Sequence, residues 1–213
     1  MSTKPKGWIQ RTALLAVLAV LLFPGCNKLE EDTTASSYLV VTSLTGNDLD
    51  GTAGSTVMYS DVITGAGSIY NDNAVAVLEA HSLDPFDVNL TTYKDIIVER
   101  VDVEFTRTDG LNTEGVDVPY AFSQEVNVLV QTEGSVSDLE FQVITHNAKL
   151  ESPLVGLVNI GGEKILKLEA HCTFYGRTVS GYAIAPVTRT ISVWCANFAD
   201  SETGDEGGEG GEE

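Results

Sequence analysis

Arg100-Val101-Asp102-Val103-Glu104-Phe105-Thr106-Arg107 alternates between apolar and polar side chains. Val101, Val103 and Phe105 share one face, and Arg100, Asp102, Glu104 and Thr106 share the other. A strand sends successive side chains to opposite sides, so this period of two describes a half-buried strand with a solvated back. The pattern recurs along the chain. Phe122, Val126, Val128 and Val130 fall on one face of a second run, and Leu139, Phe141 and Val143 on one face of a third. Leu166, Leu168, Ala170, Cys172 and Phe174 alternate against Lys167, Glu169, His171, Thr173 and Tyr175; Ile191, Val193 and Cys195 alternate against Ser192 and Trp194. Tyr38 to Ser43, Thr56 to Ile63 and Ala74 to Leu83 are β-rich with weaker alternation, which predicts more central strands.

Turn residues separate these runs: Thr45-Gly46-Asn47, Asp50-Gly51, Thr64-Gly65-Ala66-Gly67, Asp109-Gly110, Glu133-Gly134 and Gly161-Gly162. No stretch holds a helical period over three turns; Asn147 to Val158 has room for one short turn of helix. Eight or nine strands in about 160 residues predict an all-β antiparallel sandwich rather than an α/β fold.

Tyr175-Gly176-Arg177-Thr178 has the form of a hairpin tip, on whose register Cys172 would face residue 182. Pro186 has no amide hydrogen for a ladder, so a break is expected there, with Val187 to Phe198 continuing in a different sheet. By parity Cys172 and Cys195 both point inward. In an oxidising compartment they could form a bridge between the sheets, closing a 24-residue loop; the alternative is two buried thiols acting as small apolar residues. No Cys-x-x-Cys or other zinc-like spacing is present.

The first 25 residues have the three-part form of an export signal. Lys4, Lys6 and Arg11 precede an apolar run from Ala13 to Phe23, with no acid before Cys26. Eleven residues make a helix of about 16 Å, roughly half of a ~30 Å hydrocarbon core, too short to span it. Leu22-Phe23-Pro24-Gly25-Cys26 resembles the lipobox of bacterial lipoproteins, in which cleavage before the cysteine leaves a lipidated thiol. Ordinary signal cleavage would need a small-x-small site near the end of the run, and none is there. Cys26 is therefore the expected lipidation site, and 26–37 reads as a lipidated cysteine and flexible tether. Asn27 after the cysteine fits outer-membrane sorting.

Residues 200–213 hold seven acids and five glycines and offer no apolar group to bury, which predicts a disordered acidic tail. Removing 1–25 takes away three cations and no acid, moving the formal net charge from −19 to −22. That balance argues against nucleic acid as a partner and against charge-driven docking on anionic lipid. Stable attachment would have to come from acyl chains.

Signatures of catalysis are missing: no Gly-x-Ser-x-Gly, His-Glu-x-x-His, Ser-x-x-Lys, Gly-x-Gly-x-x-Gly or P-loop occurs. The chain is expected not to be an enzyme, and no cofactor is implied. His81, His146 and His171 fall in separate strand runs and read as surface histidines. Asn47-Asp48-Leu49-Asp50-Gly51 resembles part of a calcium loop, but the EF-hand frame that puts Gly51 sixth has Gly46 first and Val57 twelfth, and fails. Asp48, Asp50, Asp61 and Asp72 remain calcium candidates if neighbouring loops gather; a plain turn is the commoner reading of such a cluster. Tyr175 and Trp194 share an outward parity, which would suit a platform for sugar or protein contact.

Four runs together, Arg107-Thr108-Asp109-Gly110, Gly115-Val116-Asp117-Val118-Pro119-Tyr120, Ala148-Lys149-Leu150-Glu151-Ser152-Pro153-Leu154 and Phe174-Tyr175-Gly176-Arg177, resemble uncharacterised bacterial envelope lipoproteins with an immunoglobulin-like domain. The resemblance covers roughly 38–199 and implies an immunoglobulin-like β-sandwich; it supplies no activity and no functional residue. The length exceeds a minimal domain of that type, about 100 residues, so long strands or an inserted hairpin are expected. The expected organisation is a signal peptide at 1–25, an anchor and tether at 26–37, a sandwich at 38–199 and a tail at 200–213. The expected function is a non-catalytic, lipid-anchored envelope protein, outer-membrane bound, that binds other envelope proteins or serves as an accessory structural module. A carbohydrate- or calcium-dependent surface-binding module is the second reading, and an envelope hydrolase with a non-obvious site the third.

Overall fold

The computed structural model describes residues 35–49, 51–84, 86, 91–132, 134, 136–160 and 163–198. The expected signal peptide at 1–25, the expected lipidation site Cys26, most of the expected tether, Asp50 and the expected tail at 200–213 lie outside the described residues. Nine strands are present among those described: β1 (Ser37–Asn47), β2 (Ala53–Ser55), β3 (Val57–Asp61), β4 (Asp72–Ser82), β5 (Ile96–Thr106), β6 (Phe122–Val130), β7 (Ser137–Ile144), β8 (Leu166–Thr178) and β9 (Val187–Ala196). One short helix, α1 (His146–Leu150), and a 3-10 turn (Leu154–Leu157) fill the connection between β7 and β8, in the segment expected to hold a helical turn. Ala35 is buried and Ser37 already opens β1, so the fold begins before Tyr38.

The chain is all-β and forms two sheets, ordered β2-β1-β4-β7 and β3-β9-β8-β5-β6. The pairings are antiparallel apart from β3 with β9, which run parallel from Val57↔Ser192 to Asp61↔Ala196. The alternating residues read from the sequence occupy the core: Val101, Val103 and Phe105 of β5, Leu139, Phe141 and Val143 of β7, and Leu168, Ala170, Cys172 and Phe174 of β8 are buried. Phe141 and Phe174 meet edge to face, with ring centroids 5.5 Å apart, across the layer between the sheets. Along one side, Gln124 of β6 donates to the Gln142 carbonyl (2.7 Å) and accepts from the Gln142 amide (3.1 Å), so a side chain stands in for a strand and joins the two sheets. β4 is central in its sheet, as its weak polar alternation suggested, but β3 is an edge strand and not a central one.

Two expectations for the end of the domain are corrected. β8 runs on through Gly176 to Thr178, and the hairpin turns at Val179–Gly181, where Gly181 takes φ +97° and its amide donates to the Thr178 carbonyl. β9 does not change sheets. It starts just after Pro186 and pairs with β8 from Phe174↔Val187 to Leu166↔Cys195. That register sets Cys172 against Arg189 and leaves the two cysteines six residues apart along β8, or about 20 Å at ~3.3 Å per residue. A disulfide needs Cα atoms within about 7 Å. The possible Cys172–Cys195 bridge is therefore absent, and both residues are buried free thiols.

The strands define two ends. At one, the start of β1 lies beside the end of β4 (Ser37↔Ser82), and the start of β5 beside the ends of β6 and β8 (Ile96↔Val130, Ile96↔Thr178). Lys94 Nζ reaches Ser82 Oγ (3.5 Å) and Ser137 Oγ donates to the Leu129 carbonyl (3.1 Å), which ties the two sheets together there. The chain enters the fold at this end. It leaves at the other, where β9 finishes beside the ends of β3 and the start of β8.

Candidate functional site

The densest polar chemistry lies at the exit end, around a buried lysine. Thr145 caps α1, its hydroxyl accepting from the Ala148 amide at 3.1 Å, and this sets Lys149 in the last turn. Lys149 is only 1% exposed. Its ammonium donates to the Asp61 carbonyl at 2.7 Å and sits 2.8 Å from Asp72 Oδ2. An ammonium withdrawn from water costs several kcal/mol unless matched, and these two oxygens supply the match. Burial pushes the Asp72 carboxyl above its ordinary range, and the charge and hydrogen bond of Lys149 pull the other way. The Ser60 hydroxyl also faces this carboxylate, and Cys195 lies close enough to feel both charges. The group works as a clamp: one side chain of the β7–β8 connection holds the end of β3 and the start of β4.

This arrangement bears on the calcium candidates. The fold does bring Asp61 and Asp72 together, but the Lys149 ammonium is matched to the Asp72 carboxylate and to the main-chain carbonyl of Asp61. The Asp61 carboxylate accepts from the Phe198 amide at 3.1 Å. Asp48 accepts from the Thr52 amide (2.8 Å) in the turn between β1 and β2, so it serves a plain turn. Among the described residues no group of three or more His, Cys, Asp and Glu side chains is placed to hold a metal ion.

Beside the clamp lies a cleft of about 390 Å³, lined by Asn71, Tyr120, Gln142, His146, Asn147 and Glu151 among others. Asn71 Oδ1 accepts from the His146 amide (2.5 Å), and His146 Nδ1 lies 3.1 Å from the Ile69 carbonyl. A carbonyl can only accept, so Nδ1 carries the proton and the ring is fixed in orientation. Sequence reading missed this cleft because its residues come from four separate segments; the one available sign was Tyr120 within a turn-rich stretch.

The other singled-out residues do not converge. His81 stacks on Tyr38 and contacts Glu79, whereas His171 bridges the hydroxyls of Thr106 (2.8 Å) and Thr190 (3.0 Å). Of the three histidines, His146 opens a helix and lies in no strand. Tyr175 and Trp194 share the outward face, but Trp194 is opposite Lys167, eight residues from Tyr175 along β8 and thus about 26 Å away. Each ring is instead covered by a cation: Arg100 lies 4.1 Å from the Tyr175 centroid and Lys167 4.1 Å from that of Trp194. They form no common platform.

No helix among the described residues is long and apolar enough to cross a membrane. No family model matches the chain, and no curated protein matches it.

Proposed function

We propose that this chain is a non-catalytic, lipid-anchored envelope protein whose immunoglobulin-like domain binds another protein or serves as an accessory subunit at the outer membrane. The observation that carries the reading is Gly25-Cys26 placed directly behind an apolar run too short to span a bilayer. The strand order supports the immunoglobulin-like part. Taking β1, β4 and β7 as A, B and E, and β9, β8, β5 and β6 as G, F, C and C′, gives the orders A-B-E and G-F-C-C′, which support that reading, with no counterpart of strand D among the described strands and with β2 and β3 in addition. The B–F disulfide of antibody domains has no counterpart, since β4 contains no cysteine. The test is the mass of the N-terminal peptide from membrane-extracted protein, together with fractionation of Cys26→Ser. Acyl chains on Cys26 and release of the variant into the soluble fraction are expected; an unmodified Cys26 thiol overturns the anchor. Co-purification from the native membrane extract then identifies the partner.

A second reading, a carbohydrate-binding surface module, draws support from the Tyr120 cleft. A glycan array run with and without calcium tests it, and binding that is lost in Tyr120→Ala would favour it over the first.

A further inference from the structure

The two ends of the domain differ in surface chemistry as well as in which terminus they carry. Around the entry end stand Tyr38, Leu83, Phe86, Tyr93, Val179 and Tyr182, all exposed; Phe86 is 88% and Tyr93 68% accessible. They come from separate segments that backbone hydrogen bonds hold together. The Leu83 amide donates to the Ser36 carbonyl (3.0 Å), the Val179 amide to the Asp95 carbonyl (2.8 Å) and the Ser180 amide to the Tyr93 carbonyl (3.2 Å). The Asp95 carboxylate is turned inward, accepting from the amide and hydroxyl of Thr132 at 3.0 Å each, so it does not charge this surface, and the exposed acid within the patch is Asp84, which accepts from the Phe86 amide. The exit end also shows apolar side chains, among them Tyr70, Val116 and Tyr120, but they are interspersed with Asp48, Asp109, Glu114, Asp117 and Glu151. The seven acids of residues 200–213 follow from that end.

We propose that the entry end, with its exposed tyrosines and phenylalanine, rests on the interfacial zone of a lipid bilayer. The inference rests on the anchor reading above. If Cys26 carries the lipid, nine residue steps separate it from Ala35, and a fully extended chain of that length spans at most about 32 Å. The bilayer surface is thus always within reach of this end. Tyrosine suits that zone because its ring enters the apolar boundary while its hydroxyl stays at headgroup level. The exit end, rich in carboxylates, gains nothing from an anionic headgroup layer and is held away from it. The anchor fixes the chain to the membrane, and the aromatic end gives the domain a defined orientation on it.

The test uses the mature chain from Cys26, coupled through that thiol to a maleimide-headgroup lipid in phosphatidylcholine and phosphatidylethanolamine vesicles. Cys172 and Cys195 are buried, so coupling is confined to Cys26. Deuterium uptake is compared with that of the same chain, its Cys26 blocked by N-ethylmaleimide, mixed with the same vesicles. A loss of uptake on attachment is expected across 91–95 and 178–184 and not across 108–120, and the loss should disappear in a Phe86→Ser, Tyr93→Ser, Tyr182→Ser variant. Unchanged uptake at the first two segments, or protection at 108–120 instead, overturns the proposal. Because coupling is chemical, the result does not depend on whether cells lipidate Cys26. An unmodified cellular Cys26 would sink the anchor reading alone.

Discussion

Lys149 buries an ammonium beside the Asp72 carboxylate and the Asp61 carbonyl, and this matching makes the pair sensitive to the loss of either member. In Lys149→Met the Asp72 carboxylate keeps its burial and loses the attraction that opposes it, so its pKa rises further. Breaking a buried pair costs about 3 kcal/mol or more at neutral pH. The folded variant then holds the Asp72 proton more tightly than the unfolded chain does. Its stability should recover as pH falls from neutral through that raised pKa. Urea unfolding at pH 7 and pH 4.5 checks this; a deficit equal at both would refute it. The thiols give a second case. Burial pushes Cys172 and Cys195 from 9.0 up to about 12. The stability this confers is complete below pH 9 and is lost as pH rises through 9 toward 12, because unfolding releases thiols that ionise. Replacing both cysteines with alanine should flatten that alkaline fall in urea titrations. In the unfolded wild-type protein without reductant, both must titrate with Ellman's reagent.

Among the elements, the junction of β5 with β8 is the most constrained. A bulge at Glu99 shifts the register between Val98 and Arg100 on both sides of β5, and its buried positions change from Ile96 and Val98 to Val101, Val103 and Phe105. Glu99 then pairs with the Arg177 guanidinium at 2.7 Å. Opposite Val98 lies Gly176, where a Cβ would come 2.4 Å from the Ile97 carbonyl oxygen. Gly176→Ala should therefore destabilise the domain by about 1–3 kcal/mol, read as a lowered urea midpoint; an unchanged midpoint would show that the strands can separate. This glycine also explains what sequence reading got wrong. Alternation at Arg100 to Thr106 and Leu166 to Phe174 revealed strands and their inward faces, because a half-buried strand imposes period two on its side chains. Gly176 was read as a turn residue, yet it is there because a neighbouring backbone passes too close for any side chain. The actual turn was marked by Ser180-Gly181. The parallel pairing of β3 with β9 left no local trace, since it depends on a crossing between sheets. The clamp was equally hidden: Lys149, Asp61 and Asp72 are far apart in sequence, and only the packed connection between β7 and β8 assembles them.

For the molecule as a whole, charge is distributed unevenly along the chain. Removing residues 200–213 takes seven acids from the chain and moves its formal charge from −19 to −12. That segment adds no apolar residue to the core described above, so its deletion should leave the melting temperature unchanged while lowering solubility near the isoelectric point. A clear fall in melting temperature would mean that the tail packs on the domain. The chain enters beside the start of β1 and leaves past the end of β9, at opposite ends of the fold. A pull between an anchored base and a partner held at the far end would therefore run lengthwise along β3 and β9. The five parallel residue pairs that join those strands would bear such a load together, in shear, and could not be unzipped one after another.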